Sequence, residues 1–379
     1  MKVLISGGGT GGHIFPAVSI ANAIKEMAPD TEFLFIGALG RMEMEKVPAE
    51  GYRIIGLPVR GFIRPLFHPG NVKVLFDLFS SIRQAKKIIR DFQPDVAVGV
   101  GGYASAAALK AAHALGVPYV LQEQNGFAGV TNQKLARNAQ KICVAYPNME
   151  RFFPADRIVM TGNPVRQKLL ECTATPQEAR IALGLDPDLK TIFITGGSLG
   201  ARSVNNAIAA GLRELQAAGV QVLWQTGKAD GDKWEKAVES LSEQQNNKIT
   251  KEQKNAQHLI HPTVFVSDMA MAYRAADIVI SRSGAGGVNE VCLLGKAAIF
   301  VPLPTAAEDH QTANARVLSD ADAAILCPDA EAPTRLVKEA IALINDPERI
   351  HKFEENARKL GKFGAAETIA KIVIAEVSH

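Results

Sequence analysis

Short apolar runs alternate with amphipathic stretches along almost the whole chain, and this alternation limits the fold more than any other feature. Apolar runs predict a first series of strands at 2–6, 32–36, 53–57, 95–99, 117–122 and 141–144. A second series is predicted at 191–195, 220–225, 263–266, 277–281, 297–301 and 323–326. Strands that alternate with helices pair in parallel and are covered by helices on both faces. The sequence therefore predicts an α/β protein with two doubly wound domains.

The seam between the two domains is predicted at 162–165, where Gly, Asn and Pro follow one another. The charge balance changes there as well. Residues 1–165 hold 18 Lys and Arg against 12 Asp and Glu, whereas the rest holds 24 against 27. We therefore expect domains at 1–163 and 164–360, and we expect a last helical segment, about 361–379, to return to the first domain.

Composition excludes several classes of protein. The chain of 379 residues is 47% hydrophobic and 21% charged, which is typical of a globular protein. Its net charge of +3 is too small for a nucleic-acid-binding surface, although the basic first half suits an anionic substrate or a membrane surface. The four cysteines lack zinc-ligand or CxxC spacing, which indicates reduced thiols. The sequence predicts neither a membrane-spanning segment nor a signal peptide.

Glycine-rich loops follow three of the predicted strands. Gly7, Gly9 and Gly12 match the GxGxxG pattern between a strand and a helix. A dinucleotide site would also need a carboxylate at the end of the next strand, and residues 35–39 contain none. The alternative is that these glycines only permit a tight turn and close helix packing.

Two further glycine loops, 196–202 and 281–287, each open a predicted helix in the second half of the chain. Free N–H groups at helix N-termini bind anions without a metal ion. Several such loops at the carboxyl ends of parallel strands predict a cleft between the domains that holds a diphosphate. We interpret the Asp-x-Asp strings at 186–188, 230–232 and 320–322 as surface loops or helix ends.

Seven ordered motifs carry a family resemblance that covers nearly the whole chain. They are GGGTGGHIFPA (7–17), GVGGYAS (99–105), EQNGFAGVTN (123–132), GNPVR (162–166), GGSLGAR (196–202), DMAMAYRAADIVISRSGAGGVNE (268–290) and EDHQTANA (308–315). In these motifs the chain closely resembles MurG-type glycosyltransferases. The resemblance implies the GT-B glycosyltransferase fold, in which two Rossmann-like domains face each other across a cleft. It also implies that no cofactor or metal is required.

The implied reaction is inverting transfer of N-acetylglucosamine from UDP-GlcNAc to the muramyl C4 hydroxyl of lipid I. Lipid I is undecaprenyl-diphosphate-muramyl-pentapeptide, and the product is lipid II, a precursor of peptidoglycan. The chain departs from the family's pattern at 286–289, where members commonly carry Leu-Thr and Ser, and at His310, where Arg or Lys is frequent. The segment 240–261 also looks longer than usual.

His13 follows the first glycine loop at a helix N-terminus, where the helix dipole favours a neutral imidazole. A neutral histidine can take the proton from an attacking hydroxyl. From its position alone, His13 fits a capping or packing role equally well. The resemblance implies that it is the catalytic base or positions the acceptor.

The resemblance assigns most of the remaining site to the UDP-GlcNAc donor. Glu290, placed by the pattern on the first turn of its helix, would accept both ribose hydroxyls, although a helix-dipole role also fits. Backbone groups of 285–289 would bind the diphosphate, and the backbone of Val266 would read the uracil edge. The donor-binding residues implied are Thr10, Gly11, Gly12, Asn125, Arg166, Ser198, Val266, Ala285, Gly286, Gly287, Val288, Asn289, Glu290 and Gln311.

Two further assignments follow from the resemblance. The side-chain amides of Asn125 and Gln311 would read the hydroxyls of N-acetylglucosamine. Gly102 and Tyr103, at another predicted helix start, would bind the acceptor diphosphate.

The stretch 60–90 carries seven basic residues and one acidic residue, interleaved with apolar ones. One helical face holds Leu75, Leu78, Phe79 and Ile82, which by itself is more typical of a core. Phe76 lies off that face, and 62–67 is an apolar loop, so we expect an anchor on anionic lipid. The expected location is the cytoplasmic face of the bacterial cell membrane. The expected partners are UDP-GlcNAc, lipid I, the anionic inner membrane and other cell-wall synthesis proteins, but not nucleic acid.

Three alternatives stay open. The first is another lipid-acceptor glycosyltransferase of the same superfamily, such as one that acts on diacylglycerol. The second is a UDP-sugar epimerase on the same fold, and the third is a nucleotide-sugar sensor without catalysis.

Overall fold

The computed structural model describes residues 1–61, 69–165, 167–197, 199–246 and 259–377. The chain forms two compact units. Unit 1 comprises Met1–Arg166 and Lys362–His379, and unit 2 comprises Gln167–Gly361. The units therefore divide the chain at 166/167, close to the seam predicted at 163/164.

Unit 1 is built, in its described residues, on a sheet of seven parallel strands. They are β1 (Lys2–Ser6), β2 (Glu32–Ala38), β3 (Ile54–Leu57), β4 (Val96–Gly99), β5 (Tyr119–Glu123), β6 (Lys141–Val144) and β7 (Ile158–Met160). Their order is β3-β2-β1-β4-β5-β6-β7. The winding therefore reverses between β1 and β4, which is where doubly wound sheets bind ligands. The short strand β7 was not predicted.

Helices cover both faces of this sheet. They are α1 (Gly11–Met27), α2 (Glu43–Ala49), α3 (Asn71–Phe92), α4 (Tyr103–Ala114) and α5 (Val130–Leu135). Successive residues of a strand point to opposite faces. Val3 and Ile5 accordingly pack in one fully buried cluster with Ile20 of α1, whereas Leu4 packs in the other with Leu109 of α4. The apolar runs of the sequence are thus strands that are buried on both sides.

Unit 2 has, in the described part of the chain, a six-stranded parallel sheet. Its strands are β8 (Thr191–Thr195), β9 (Gln221–Gln225), β10 (Ile260–Thr263), β11 (Ile278–Ser281), β12 (Ala297–Phe300) and β13 (Ala324–Leu326), in the order β10-β9-β8-β11-β12-β13. Its helices are α6 (Gln167–Glu171), α7 (Pro176–Ala182), α8 (Arg202–Ala210), α9 (Leu212–Ala217), α10 (Lys233–Asn246), α11 (Met269–Ala275), α12 (Ala285–Leu294), α13 (His310–Asp320), α14 (Ala332–Ile344) and α15 (Pro347–Leu360).

One strand of unit 2 differs from its prediction. The sequence predicted a strand at 263–266, but β10 ends at Thr263. The N–H of Val266 donates to the side chain of Gln225 rather than to a neighbouring strand, so residues 264–266 form a loop after the strand. The middle of the long excursion, 247–258, lies outside the described residues.

The last helix, α16 (Ala365–Ala375), belongs to unit 1 and packs against α1. Ile369, Ala370 and Val373 are fully buried in the cluster that contains Ile20 of α1. Gly364 takes a φ of 69° immediately before this helix, a conformation that glycine adopts without strain. The helical break predicted at Gly361 or Gly364 is therefore the point at which the chain passes from unit 2 to unit 1.

The four cysteines are free thiols. Burial raises the pKa of Cys143 and Cys292 to about 12 and that of Cys327 to about 11, so these three groups are protonated at neutral pH. Within the described ranges, every helix is too short or too polar to cross a membrane.

Candidate active site

The first glycine loop joins β1 to α1 in unit 1. A Cβ atom on Gly7 would lie 2.0 Å from a methyl group of Val100, so the loop packs closely against the segment that follows β4. Gly9 has a φ of 89°, and Thr10 is the N-cap residue of α1 but makes no side-chain capping bond. The loop presents Gly11, Gly12 and His13 on the first turn of the helix.

The imidazole of His13 is half-buried and is oriented by this loop. Its Nδ1 lies 3.0 Å from the carbonyl oxygen of Gly8, with Thr10 Oγ1 at 3.3 Å. Because a carbonyl oxygen can only accept, Nδ1 carries a proton in the contact with Gly8. In a neutral ring the lone pair is then on Nε2. The backbone of Gly101 packs closely against this atom, since a Cβ on Gly101 would lie 3.0 Å from it. The geometry therefore orients His13 as a proton acceptor through Nε2.

A buried carboxylate, Glu43 of α2, lies beneath the same loop. Its Oε2 accepts the N–H of Gly9 at 2.9 Å, and its Oε1 accepts the N–H of Ala38 at 3.0 Å. The residue is 0% exposed. Sequence reasoning searched for a carboxylate only at 35–39 and missed Glu43, which lies beyond the end of β2. The carboxylate binds the loop itself and not a ribose.

Gly101 and Gly102, after β4, bring a second loop against the first. Their φ values are 98° and 87°, and a Cβ on Gly102 would lie 2.6 Å from the carbonyl oxygen of Gly8. Tyr103 begins α4 and is 51% exposed, with Gly61 packed against its ring. Unit 1 therefore brings Gly102, Tyr103 and His13 to the same edge of its sheet.

Asn125 follows β5 and is held by another buried carboxylate. Glu123 Oε1 accepts both the N–H and the Nδ2 of Asn125, at 3.1 and 3.2 Å. Glu123 Oε2 accepts the N–H of Gly129 at 3.0 Å and Nδ2 of Asn132 at 2.9 Å. Glu123 therefore fixes both the backbone and the side chain of Asn125. The sequence analysis did not identify Glu123.

In unit 2, the loops after β8 and β9 interlock through glycines. A Cβ on Gly200 would lie 2.1 Å from the carbonyl oxygen of Thr226, and one on Gly227 would lie 2.0 Å from the N atom of Gly200. Gln225 connects these loops to the one after β10. Its Nε2 donates to Thr195 Oγ1 at 2.9 Å, while its Oε1 accepts the N–H of Val266 at 2.9 Å. The N–H of Val266 is thus already engaged within unit 2.

The glycine loop after β11 leads into α12. Gly284 is the N-cap residue in an extended conformation and makes no side-chain capping bond. A Cβ on Gly284 or Gly286 would meet nothing within 4 Å, so the backbone there faces open space. Of the N–H groups expected to bind the diphosphate, that of Val288 donates to the carbonyl oxygen of Gly284, and Asn289 lies one residue deeper in the helix. Those of Ala285, Gly286 and Gly287 lie in the first turn, where a helix offers no acceptor.

Glu290 is the sixth residue of α12 and therefore lies on its second turn, not on the first as predicted. The hydroxyl of Tyr273 in α11 donates to Glu290 Oε2 at 2.8 Å. Tyr273 is itself 2% exposed and meets Phe193 edge-on. The carboxylate is consequently held in one orientation by a rigid partner that the sequence analysis missed.

Gln311 is the second residue of α13 and is fixed at both ends. Its main-chain carbonyl oxygen accepts the hydroxyl of Ser283 at 2.8 Å, and its side-chain Oε1 accepts the N–H of Leu303 at 3.0 Å. These two bonds hold the backbone and the side chain of Gln311 in one orientation. Glu308 and Asp309, just before the helix, both have positive φ, of 53° and 51°. Such strain in non-glycine residues concentrates at functional sites.

Arg282, in the loop after β11, was missed by the sequence analysis. It forms an ion pair with Asp329 at 2.5 Å and donates to Ser203 Oγ at 2.7 Å. It ties the loop after β11 to the start of α8. Arg166 and Ser198, both expected to bind the donor, lie outside the described residues, and so does the apolar loop 62–67.

The Asp-x-Asp strings make structural contacts, and Asp322 of the third forms an ion pair with Lys352. Asp186 Oδ1 accepts the N–H of Asp188 at 2.9 Å, and Asp230 accepts the indole N–H of Trp234 at 3.1 Å. Among the residues with described positions, no cluster of three or more His, Cys, Asp and Glu could hold a metal ion.

Two units, each with a doubly wound parallel sheet and glycine turns at the carboxyl ends of its strands, have the architecture of the GT-B fold. Residues 3–144 match the Glycosyltransferase family 28 N-terminal domain, and residues 191–372 match the Glycosyltransferase family 28 C-terminal domain. The chain belongs to glycosyltransferase family 28.

Known proteins similar to this chain agree with that assignment. A Bacteroides fragilis protein is 52% identical over 375 residues, covering 99% of this chain and 95% of its own length. It is named UDP-N-acetylglucosamine--N-acetylmuramyl-(pentapeptide) pyrophosphoryl-undecaprenol N-acetylglucosamine transferase. The crystal structure of Acinetobacter baumannii MurG has a TM-score of 0.75 and 27% identity, with 99% of each chain covered. A Neisseria meningitidis UDP-GlcNAc 2-epimerase, at a TM-score of 0.66 and 17% identity over 99% of this chain and 100% of its own, shares the fold alone.

Proposed function

We propose that the protein transfers N-acetylglucosamine from UDP-GlcNAc to lipid I and forms lipid II. This proposal rests on the 52% sequence identity, over 375 residues, between this chain and the Bacteroides fragilis protein named for that transfer. The residues proposed for this transfer follow the carboxyl ends of the strands in the two units. The protein is a hexosyltransferase of peptidoglycan synthesis.

Unit 2 supplies the groups suited to the donor. The N-terminal N–H groups of α12, at Ala285, Gly286 and Gly287, would bind the diphosphate, because the helix dipole and unpaired donors favour an anion. Glu290, oriented by Tyr273, would accept the two ribose hydroxyls. A polar site of this kind rejects an analogue that lacks a matching hydroxyl, since its buried partner is left unpaired.

Unit 1 supplies the base. The C4 hydroxyl of the acceptor attacks the anomeric carbon, the bond from that carbon to the diphosphate breaks, and UDP leaves with the electron pair. The proton of the hydroxyl passes to Nε2 of His13. Displacement from the opposite side inverts the anomeric centre. Gly102 and Tyr103, at the N-terminus of α4, would hold the acceptor diphosphate.

We propose that unit 1 also docks on the membrane. The exposed apolar side chains of α3 are Val72, Leu75, Phe76 and Phe79, whose exposed fractions are 60, 45, 71 and 70%. This face differs from the predicted one, because Leu78 and Ile82 pack partly buried against the core. Lys73 and Arg83 are exposed on the same helix. An apolar face flanked by cations supports binding to an anionic interface, on the cytoplasmic side where UDP-GlcNAc is found.

The reaction is tested by incubating the protein with UDP-GlcNAc and a short-chain lipid I analogue and by measuring UDP release. We expect UDP to appear only when both substrates are present. Release of UDP without an acceptor, together with a change of the sugar's C2 configuration, would indicate an epimerase instead. We propose that no resident metal is needed, and UDP release that EDTA abolishes would contradict this.

A further inference from the structure

A single peptide group connects the buried carboxylate of Glu43 to the ring of His13. The N–H of Gly9 donates to Glu43 Oε2 at 2.9 Å. The carbonyl of Gly8 belongs to the same peptide group, and its oxygen accepts from His13 Nδ1 at 3.0 Å. The two hydrogen bonds therefore run in series, from imidazole to peptide to carboxylate.

We propose that Glu43 is a positioning residue that acts on His13 through the Gly8–Gly9 peptide group. A negative charge at the N–H end polarises the peptide and makes its carbonyl oxygen a stronger acceptor, since hydrogen bonds in a chain reinforce one another. That oxygen then favours the tautomer with the proton on Nδ1 and the lone pair on Nε2. It also stabilises the imidazolium that forms when Nε2 takes the hydroxyl proton. This inference rests on the proposed function only for its kinetic consequences.

The backbone around this peptide group is closely packed. A Cβ on Gly8 would lie 2.1 Å from Glu43 Oε1, and a Cβ on Gly37 would lie 2.6 Å from Glu43 Cγ. Gly102 covers the other side, since its Cβ would lie 2.6 Å from the oxygen of Gly8. The second carboxylate oxygen is anchored by the N–H of Ala38 at the end of β2. The carboxylate is thus fixed to the sheet, and the peptide is fixed to the carboxylate.

The same charge separates this loop from a phosphate-binding loop. In phosphate loops the backbone N–H groups point at the anion. Here the N–H of Gly9 points at a buried carboxylate, which repels a second anion at that position. At this N–H the loop therefore binds the carboxylate that orients the histidine, and not a ligand.

The first experiment measures the histidine tautomer directly and needs no activity. In protein with ¹⁵N-labelled histidine, the His13 ring is assigned by its loss in His13→Gln, and its nitrogen shifts report which atom is protonated. We expect the Nδ1–H tautomer in the wild type and a larger Nε2–H fraction in Glu43→Gln, whose side chain is neutral. A wild-type ring protonated on Nε2 overturns the proposal even if the variant does not fold, and an unchanged tautomer ratio in folded Glu43→Gln overturns it as well.

The second experiment separates positioning from simple support of the fold. Glu43→Gln should lower kcat by about 10–100-fold, a usual size for a group that orients a histidine, while KM for UDP-GlcNAc stays within about twofold. Glu43→Asp, which keeps the charge, should recover part of the loss. Tyr52→Phe is the matched control, because its hydroxyl bonds Asn22 at 2.6 Å on the same helix α1, away from the loop.

The proposal makes the effects of the two residues dependent on each other. In a His13→Ala background, Glu43→Gln should change the residual rate by less than about twofold, because the carboxylate acts only through the ring. Equal losses in both backgrounds, or a loss that Tyr52→Phe reproduces at similar stability, would assign Glu43 a structural role alone. An inactive wild type would contradict the proposed function, whereas the tautomer measurement would still test the link from Glu43 to His13.

Discussion

The first glycine loops of the two units occupy the same place in two sheets wound in the same order, yet their buried partners differ in charge. In unit 1, the N–H of Gly9 donates to the carboxylate of Glu43. In unit 2, the N–H of Gly197 donates to Thr195 Oγ1 at 3.2 Å, and Gln225 Nε2 donates to the carbonyl oxygen of Gly197. One loop rests on an anion and the other on neutral groups. A glycine motif thus permits a close turn, and residues from other elements decide what the turn can bind.

The largest expected effect is the loss of turnover when the base is removed from the first loop of unit 1. His13→Ala should reduce turnover by about 10²–10⁴-fold, the usual share of general-base catalysis, with little change in UDP affinity. Steady-state kinetics and UDP titration measure both quantities. The control is His113→Ala, because His113 is an exposed histidine in the last turn of α4, and this variant should keep its turnover. Near-normal turnover in His13→Ala would remove this residue from the mechanism.

The next effect concerns the donor groups of unit 2. Glu290→Ala should weaken UDP-GlcNAc binding by about 1.5–3 kcal/mol, the usual contribution of a hydrogen bond to a charged group. If Glu290 reads the ribose, the wild type should prefer UDP to its 2′-deoxy analogue and the variant should not. Tyr273→Phe, which leaves the carboxylate present but unsupported, should show a smaller loss. Equal discrimination by wild type and Glu290→Ala would contradict ribose recognition.

Placing a carboxylate beneath the loops of unit 2 should lower UDP affinity by about tenfold. Gln225→Glu places a carboxylate beneath the second-unit loops, as Glu43 does in unit 1, and repulsion between anions should weaken UDP binding by about 1–2 kcal/mol. Gln221→Glu is the matched control, because Gln221 is an equally buried glutamine at the other end of β9. Both variants should lose stability, and only Gln225→Glu should lose UDP affinity. Similar UDP affinity in the two variants would mean that buried charge does not distinguish the loops.

The smallest effects are expected at the membrane surface of unit 1. Each basic residue near an anionic bilayer contributes about 1 kcal/mol, and salt screens that attraction. Charge reversal at Lys73, Arg83 and Lys86 should weaken co-sedimentation with anionic vesicles, whereas Lys338→Glu on unit 2 should not. UDP binding should remain unchanged in all of these variants. Vesicle binding that neither salt nor the substitutions alter would exclude this helix as the docking surface.

The sequence by itself determined the α/β class, the two doubly wound sheets and the places of the glycine loops. Apolar strands buried on both faces have a composition that turns and amphipathic helices lack, so strands such as β1 and β8 were located correctly. The loop at 264–266 was mistaken for part of a strand because all three residues are apolar. In the structure Phe265 is exposed, and the N–H of Val266 bonds to the side chain of Gln225 instead of a neighbouring strand. The short strand β7 escaped because three residues carry too little pattern.

Only the tertiary structure decided which side chains support the site. Glu43 is 34 positions from Gly9 in sequence, and Tyr273 is 17 positions from Glu290. No local periodicity links such pairs, since the sheet brings together residues from different crossovers at its carboxyl edge. The hydrogen bonding of α12 likewise fixed which of its N–H groups remain for a ligand. Sequence identifies residues capable of the chemistry, whereas their orientation and charge environment depend on partners that only the folded chain brings within hydrogen-bonding distance.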